Sequence, residues 1–407
     1  MQIYLVGGAV RDHLLNRPIL ERDYVVVGTT PEHLRAQGYQ PVGKDFPVFL
    51  HPDTKDEYAL ARTERKNGHG YQGFEFFTSP EITLEQDLYR RDLTINAMAM
   101  DDDGKIYDPY QGQQDLEQRI LRHVSDAFLE DPLRVLRVAR FAARYHAYGF
   151  KIATETLEFM QKISESGELQ HLSSERVWKE TSRALDEDHA EVYFDVLRQC
   201  GALKALFPEI DALFGVPQRP EYHPEVDTGL HTLLSLQQAC LNGYPTIVRF
   251  AVLCHDLGKA LTPAHELPRH IMHEQRGIEP VKQLCKRLKV PTEFQQLALK
   301  VCEYHLLCHQ LLNLKPGTIW RLLKNLDVLR KPEMVEWFTQ ACLSDARGRT
   351  GFEDKAYPQA SLLLDLAQKV RSLAIEIPEH LKGPDIGEYL TQQRIHFIKE
   401  ELTQYIA

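Results

Sequence analysis

The sequence predicts an α/β head built on a small mixed sheet, followed by an all-α body and a second all-α domain. Two changes along the chain carry this reading. Up to about residue 110, short apolar and β-branched runs alternate with turns, at residues 2–6, 24–27, 48–50, 58–61 and 74–77, which is the period-2 pattern of strands. From about Leu116 onward the pattern lengthens to helical periodicity, first at residues 132–145 and then at 157–163, 175–185 and 192–199. Pro208, Pro217, Pro220 and Pro224 interrupt any helix between Phe207 and Asp227 and mark a linker or rigid elbow, after which a further helical domain begins near Gly229. The parts read as a head over residues 1–140, a helical neck and body over 141–225, a second helical domain over 226–350 and a helical tail over 351–407.

A chain of 407 residues with 43% hydrophobic and 9% aromatic residues can bury real cores, which excludes a disordered or coiled-coil protein. No apolar run approaches the roughly 20 residues that span a bilayer, and the opening MQIYLVGGAVRD lacks the basic start and cleavage site of a secretion signal, so a cytoplasmic protein without a membrane partner is expected. The seven cysteines all lie from residue 200 onward, odd in number and with no C-x-x-C pair. They read as reduced core residues rather than a disulfide framework or a thiolate zinc site. A net charge of −10 excludes a protein that coats nucleic acid through global basicity, while leaving room for a local basic groove. Of the eighteen histidines, those between positions 223 and 309 crowd together and divide the chain chemically: Arg/Asp in front, His/Asp behind.

In the front half, Gly7 and Gly8 follow the first strand and precede a helical stretch, where bare backbone can approach a phosphate; taken alone, the pair is better explained as a Gly-Gly turn chosen for its φ angles. Asp23 opens the strand DYVVV with Glu21 two positions before it, and alternation places both carboxylates on one side. Such a pair suits Mg²⁺ and in-line phosphoryl or nucleotidyl transfer, although solvated strand starts also carry adjacent acids. In RRDLTIN, Asp92 reads as a helix N-cap with Asn96 a turn later, and capping leaves the adjacent Arg90 and Arg91 unexplained.

Residues 131–145 form the most legible stretch. At about 100° per residue, Arg137, Arg140 and Arg144 fall within about 60° of one another, with Val135, Val138, Ala139 and Ala142 opposite. A merely solvated face would mix Lys and Glu with Arg, so an all-guanidinium stripe points to phosphate or nucleobase binding. Asp131 and Arg134, three apart, can present an acceptor and a donor fork together.

The ordered set GGAVRD (7–12), ERDYVVVG (21–28), ARTERK (61–66), RRDLTINAMA (90–99), DPYQGQQDL (108–116) and EDPLRVLRVARFAARY (130–145) resembles the bacterial class II tRNA nucleotidyltransferases, the CCA-adding enzymes, whose heads are of the DNA polymerase β nucleotidyltransferase type. One departure stands out: Glu21 occupies the first metal position, where the family carries Asp. The resemblance implies Mg²⁺ on Glu21 and Asp23. It implies triphosphate binding by Gly8, Arg11, Arg91, Arg137 and Arg140, a sugar contact from Asn96, and a protein template formed by Asp131 and Arg134 that reads the edge of CTP and then ATP. Cytosine and adenine each offer an amino donor beside a ring-nitrogen acceptor, whereas uracil and guanine would set a carbonyl against Asp131. The implied partners are the 3′ acceptor end of tRNA, CTP and ATP, with the protein a monomer or homodimer.

In the second half, TIVRFAVLCHDLGKA reads as an apolar helix ending at His255-Asp256 and stopped by Gly258. Together with His231, His273, His305 and Asp345 it supplies mixed imidazole and carboxylate ligands suited to a transition metal. The order His231, His255-Asp256, Asp345 resembles the HD phosphohydrolase domain, with His273 and His305 as further candidates. That resemblance implies a divalent ion such as Ni²⁺ or Mn²⁺ and hydrolysis of phosphomonoesters or 2′,3′-cyclic phosphates; a helical domain that has lost its site is the plainer alternative. The rival readings of the whole are poly(A) polymerase, an RNA-binding or nucleotide-sensing module with a decayed site, and signalling-nucleotide synthesis and hydrolysis, which pairs the two domains in the opposite order and lacks the Asp131-Arg134 motif.

Overall fold

Alternating apolar residues along β1 (Gln2–Val6) and β2 (Asp23–Val27) bury both faces of the head's sheet. Val25 packs into one layer with Tyr4, Val6, Leu88 and Ala97, while Val26 points the other way to Leu34, Tyr39, Phe49 and Tyr58. The computed structural model describes residues 1–19, 21–42, 48–66 and 74–406. Within them, β3 (Gln40–Val42), β4 (Val48–Leu50), β5 (Glu57–Leu60), β6 (Arg62–Lys66), β7 (Phe74–Thr78), β8 (Ala99–Met100) and β9 (Ile106–Tyr107) follow. Seven of the nine form one sheet in the order β3-β4-β5-β2-β1-β8-β9, and β6 pairs with β7 in a separate ribbon. The sheet is mixed, because β2 runs parallel to β5 and antiparallel to β1. The expected α/β head is present, and the remainder is helical apart from a two-residue parallel pairing of Ile120–Leu121 with Lys151–Ile152.

The chain packs as two compact units. The first comprises Met1–Ala184 and Val192–Leu206; the second comprises Leu185–Glu191 and Phe207–Ala407. In the second unit, helices Thr228–Leu241, Thr246–Cys254, Thr292–His309 and Pro332–Arg347 pack against one another and carry the histidines inward. All seven cysteines are buried and free, as expected. No helix of the described residues is long and apolar enough to cross a membrane.

Three local expectations are overturned. The proline-rich segment holds a short helix, Pro208–Asp211, because Pro208 sits in the first turn, where its missing N–H costs nothing. Asp92 does not cap an α-helix: Leu93 precedes a 3₁₀ turn, Thr94–Asn96, and the buried Asp92 carboxylate instead accepts hydrogen bonds from Leu93 N–H, Asn96 and Arg137. The apolar helix ends at Cys254, and Gly258 lies inside a following 3₁₀ turn, Leu257–Leu261. Its reason to be glycine is close approach of another backbone, since a Cβ there would fall 1.9 Å from the His273 carbonyl oxygen.

Candidate functional sites

In the head, Gly7 turns the chain at φ +68° from β1 into helix Gly8–Leu14, and a Cβ there would also sit 2.9 Å from Arg91 Nη1. Gly8 has no positive φ, and a Cβ there would meet the flexible end of Arg11 at 3.2 Å. The buried Arg11 guanidinium donates to Asn96 Oδ1 at 2.5 Å and pairs with Asp12 at 3.0 Å. Asn96 donates in turn to Asp92 Oδ1 at 3.1 Å, and Asp92 Oδ2 accepts from Arg137 Nε at 2.7 Å. Asp87, wholly buried, pairs with Arg90 at 3.0 Å and Arg91 at 3.2 Å. Asp23 begins β2 between Val6 and Glu57, with Glu21 two residues before the strand and both side chains solvent-exposed. The flanking protein nevertheless raises the Asp23 pKa; Arg91 opposes the rise and Glu21 adds to it. Gly8, Arg11, Asp23, Arg91, Asn96 and Arg137 thus converge on one end of the sheet, with Glu21 close enough for its charge to be felt.

Helix Leu133–Tyr145 departs from the two-faced element expected of it, because it is covered almost all round. Arg134 and Arg140 are buried and Arg137 is half-buried, each on a specific partner. Arg134 donates to the Arg90 carbonyl oxygen at 2.6 Å and Arg140 Nε donates to buried Glu180 at 2.7 Å. Arg11, Arg137 and Arg140 also surround the Phe141 ring at 5.4, 5.7 and 4.6 Å. Asp131 accepts from Leu133 N–H at 3.0 Å and from Arg176 at 3.4 Å. Burial alone would raise the carboxyl pKa of Asp87 and Asp92, but the guanidinium partners outweigh it and hold both low. The arrangement is a set of guanidinium groups fixed by buried acids beside an exposed carboxylate pair, which can grip a triphosphate at one end and hold a divalent cation at the other. Sequence reasoning missed the holding residues Asp87, Glu180 and Arg176, because acids and bases on helices read as solvated until a partner is known.

In the second unit, every sequence-selected residue enters one buried cluster. His231 Nε2 lies 3.0 Å from Asp345 Oδ1, and His255 Nε2 lies 3.1 Å from Asp256 Oδ2 and 3.8 Å from Asp345 Oδ1. His273 and His305 approach the other Asp256 oxygen at 3.3 and 3.8 Å. Burial opposes charge on His255, but Asp256 and Asp345 outweigh it and raise its pKa, whereas burial pushes His305 down to about 3. Burial likewise opposes ionisation of Asp256 and Asp345, yet the surrounding cations keep both well below the ordinary carboxylate range. His255 Nε2 and both Asp256 carboxylate oxygens are buried without a hydrogen bond. Asp256 Oδ2 already has the Lys259 ammonium 2.6 Å away; Asp256 Oδ1 and His255 Nε2 have no such partner and fit a bound cation better than they fit packing.

Sequence reasoning did not single out four neighbours. His309 Nε2 reaches Asp345 Oδ2 at 2.6 Å, and its spacing of four from His305 on one helix was a usable signal. Lys259 Nζ lies 2.6 Å from Asp256 Oδ2. Glu225 takes the Nδ1 sides of His223 and His231 at 3.0 and 3.1 Å, and both acceptor and His223 come from the aperiodic proline-rich segment, where no pattern could reveal them. The cluster floors a cavity of about 890 Å³ whose walls carry Lys259, Arg219, Arg269, Arg349 and Lys355. That volume and charge suit a small phosphorylated molecule.

Comparison with known proteins places this geometry. Residues 3–122 match the Poly A polymerase head domain, and residues 149–214 match the probable RNA and SrmB-binding site of polymerase A. Among solved structures, a CCA-adding enzyme in an apo form aligns over 100% of this chain and 91% of its own with a TM-score of 0.67 at 21% identity. The Thermotoga maritima CCA-adding enzyme complexed with tRNA aligns over 100% and 92% with a TM-score of 0.62 at 20% identity. The multifunctional CCA protein of Pseudomonas fluorescens is 58% identical over 98% of both chains. That of Acinetobacter baumannii is 70% identical over 100% of this chain and 98% of its own. Identity at that level along the whole chain shows that the protein belongs to the multifunctional CCA proteins, a family of tRNA nucleotidyltransferases.

Proposed function

We propose that this protein adds and repairs the 3′-terminal CCA of tRNA without a nucleic-acid template, using CTP and ATP, and that its helical unit is a metal-dependent phosphohydrolase. The observation that carries the first activity is the convergence of Arg11, Arg91, Asn96 and Arg137 beside Asp23, each held by a buried partner. Glu21 and Asp23 hold Mg²⁺, whose bound charge supports attack by the tRNA 3′-hydroxyl on the α-phosphate and departure of pyrophosphate. Gly8, Arg11, Arg91, Arg137 and Arg140 orient the triphosphate, and Asn96 the sugar. Arg137 and Arg140 use Nε for their buried acids, which points the remaining guanidinium edge to phosphate. Asp131 and Arg134 read the base edge, and Arg176, at 3.4 Å, holds Asp131 loosely enough for a nucleobase amino group to compete.

In the second unit, His231, His255, Asp256 and Asp345, with His273 and His305, hold a divalent transition ion such as Ni²⁺ or Mn²⁺. The chemistry it supplies is activation of water toward 2′,3′-cyclic phosphodiesters, 2′-nucleotides and phosphomonoesters. Buried Asp256 Oδ1 and His255 Nε2, which make no hydrogen bond, support this, and the basic cavity wall draws the phosphate in. Functionally the chain divides into a head at 1–140, a neck and body at 141–225 that hold nucleotide and tRNA, the HD domain at 226–350 and a tail at 351–407, acting in the cytoplasm as a monomer or homodimer.

Poly(A) polymerase is the second reading, since the matched head description is named for it. Incubation of tRNA ending at the discriminator base with each nucleotide separately decides. Two additions from CTP, one further A from ATP after them, and none by the Asp23→Ala protein are expected. A long A tail identifies a poly(A) polymerase, and no addition by the unaltered chain identifies a decayed site.

A further inference from the structure

The proline-rich segment ends by folding back on itself. Pro217 bridges Asp227, Gln218 N–H donates to the Val226 carbonyl oxygen at 2.6 Å, and Asp227 caps helix Thr228–Leu241, which carries His231. Gln218 is thereby fixed in the wall of the cavity above the histidine cluster, only 2% exposed. Its amide has one possible orientation. Lys259 Nζ lies 2.6 Å from Gln218 Oε1, and an ammonium group only donates, so Oε1 faces the lysine and the two Nε2 hydrogens face elsewhere. That Nε2 is buried and donates to nothing among the described residues.

Arg349, two residues past helix Pro332–Arg347, repeats the pattern. It lines the same cavity one turn beyond Asp345, with Nη2 3.5 Å from Asp345 Oδ1, and its Nε is buried without an acceptor. A buried donor without an acceptor has given up its water and gained nothing in return. Two such donors in the wall of one cavity call for an acceptor that arrives with the ligand. Because one is a guanidinium and the other is held by an ammonium, the acceptor that suits both is anionic and carries several lone pairs. Phosphoryl oxygens meet that description, whereas a nucleobase carbonyl offers one neutral oxygen.

We propose that Gln218 Nε2 and Arg349 seat the non-bridging phosphoryl oxygens of the substrate, with Lys259 as the positioning residue that fixes the Gln218 amide. This rests on reading the unit as a phosphohydrolase and adds the side chains that hold its phosphate. The ligand class is a small phosphate ester, or the free phosphate that its hydrolysis leaves.

The test uses the full chain loaded with Mn²⁺. Inorganic phosphate binding is read by isothermal titration, bound Mn²⁺ by equilibrium dialysis, and hydrolysis of 2′,3′-cyclic AMP by steady-state kinetics. Gln218→Glu discriminates most sharply, because a carboxylate still accepts from Lys259 but sets an oxygen where the Nε2 donor stood. Gln218→Met is its neutral companion and removes donor and acceptor alike. Both variants, and Arg349→Gln, should weaken phosphate binding about 10–100-fold and raise KM for 2′,3′-cyclic AMP by a similar factor, with bound Mn²⁺ and melting temperature unchanged. If Gln218 serves only to hold Lys259, Gln218→Glu binds phosphate as the unaltered chain does while Gln218→Met does not, and that result overturns the phosphate seat. Weakening that follows loss of Mn²⁺ overturns it too. Phosphate binding that depends on Gln218 in a chain that hydrolyses nothing upholds the seat and removes the hydrolase reading; neither binding nor hydrolysis by the unaltered chain overturns both.

Discussion

Arg134 and Glu225 show how much a single contact controls. Arg134 is fixed by the Arg90 carbonyl oxygen at 2.6 Å, away from the acids that hold Arg137 and Arg140. If Arg134 reads the base edge as proposed, its loss leaves the phosphate grip in place and removes one edge contact, about 1–3 kcal/mol of discrimination. Arg134→Ala should therefore admit UTP or GTP while the KM for CTP changes little, as single-nucleotide kinetics would show; unaltered rejection of UTP and GTP removes Arg134 from base reading. Glu225 acts through another residue, gripping His231 Nδ1 at 3.1 Å so that Nε2 faces Asp345. Outer partners of this kind are worth about 10–100-fold in metal affinity. Glu225→Gln should weaken Mn²⁺ binding in the helical unit by that factor in equilibrium dialysis. Equal affinity in the two proteins would show that the Gly348 carbonyl oxygen alone orients the ring.

Among the elements, the 3₁₀ turn Leu257–Leu261 is the most sensitive to packing, because the His273 backbone passes against Gly258. A methyl group at Gly258 must push that backbone away, an overpacking cost of about 1–3 kcal/mol, and it moves His273 off Asp256. Gly258→Ala should lower the melting temperature and reduce hydrolysis of a 2′,3′-cyclic nucleotide far more than CCA addition; equal loss of both activities would mark a folding defect alone. Gly258 also shows where the sequence is legible and where it is not. Its neighbours His255 and Asp256 stood out because an adjacent imidazole and carboxylate in an apolar run have no packing role, but its contact with His273, fifteen residues on, has no local signature. The head's strands were readable because alternation buries Val25 and Val26 on opposite faces. Helix Leu133–Tyr145 misled, since periodicity registers polarity and cannot see Glu180 or Asp92 arriving from elsewhere to bury its arginines. His223 and Glu225 were hidden in an aperiodic segment for the same reason: long-range partners decide the site, and only short-range order is written as a pattern.

Over the whole chain, each site draws its proposed residues from one compact unit: Gly8 to Arg140 from the first, His231 to Asp345 from the second. Their ligand sets are chemically distinct. Exposed Glu21 and Asp23 offer only carboxylate oxygens, which suit Mg²⁺ completed by water and triphosphate, whereas the buried imidazoles favour a softer ion. The two metals should therefore be separable in one preparation. After chelation, Mg²⁺ alone should restore CCA addition with hydrolysis of a 2′,3′-cyclic nucleotide still low, and added Ni²⁺ or Mn²⁺ should restore the hydrolysis. His255→Ala should lose hydrolysis and bound transition metal while keeping nearly full nucleotide addition, because that imidazole packs on Val252, His231, Asp256, His305 and Asp345 of its own unit. Should Mg²⁺ restore both activities equally, or should His255→Ala keep full hydrolase activity, the histidine cluster is structural and the helical unit serves CCA addition as scaffold.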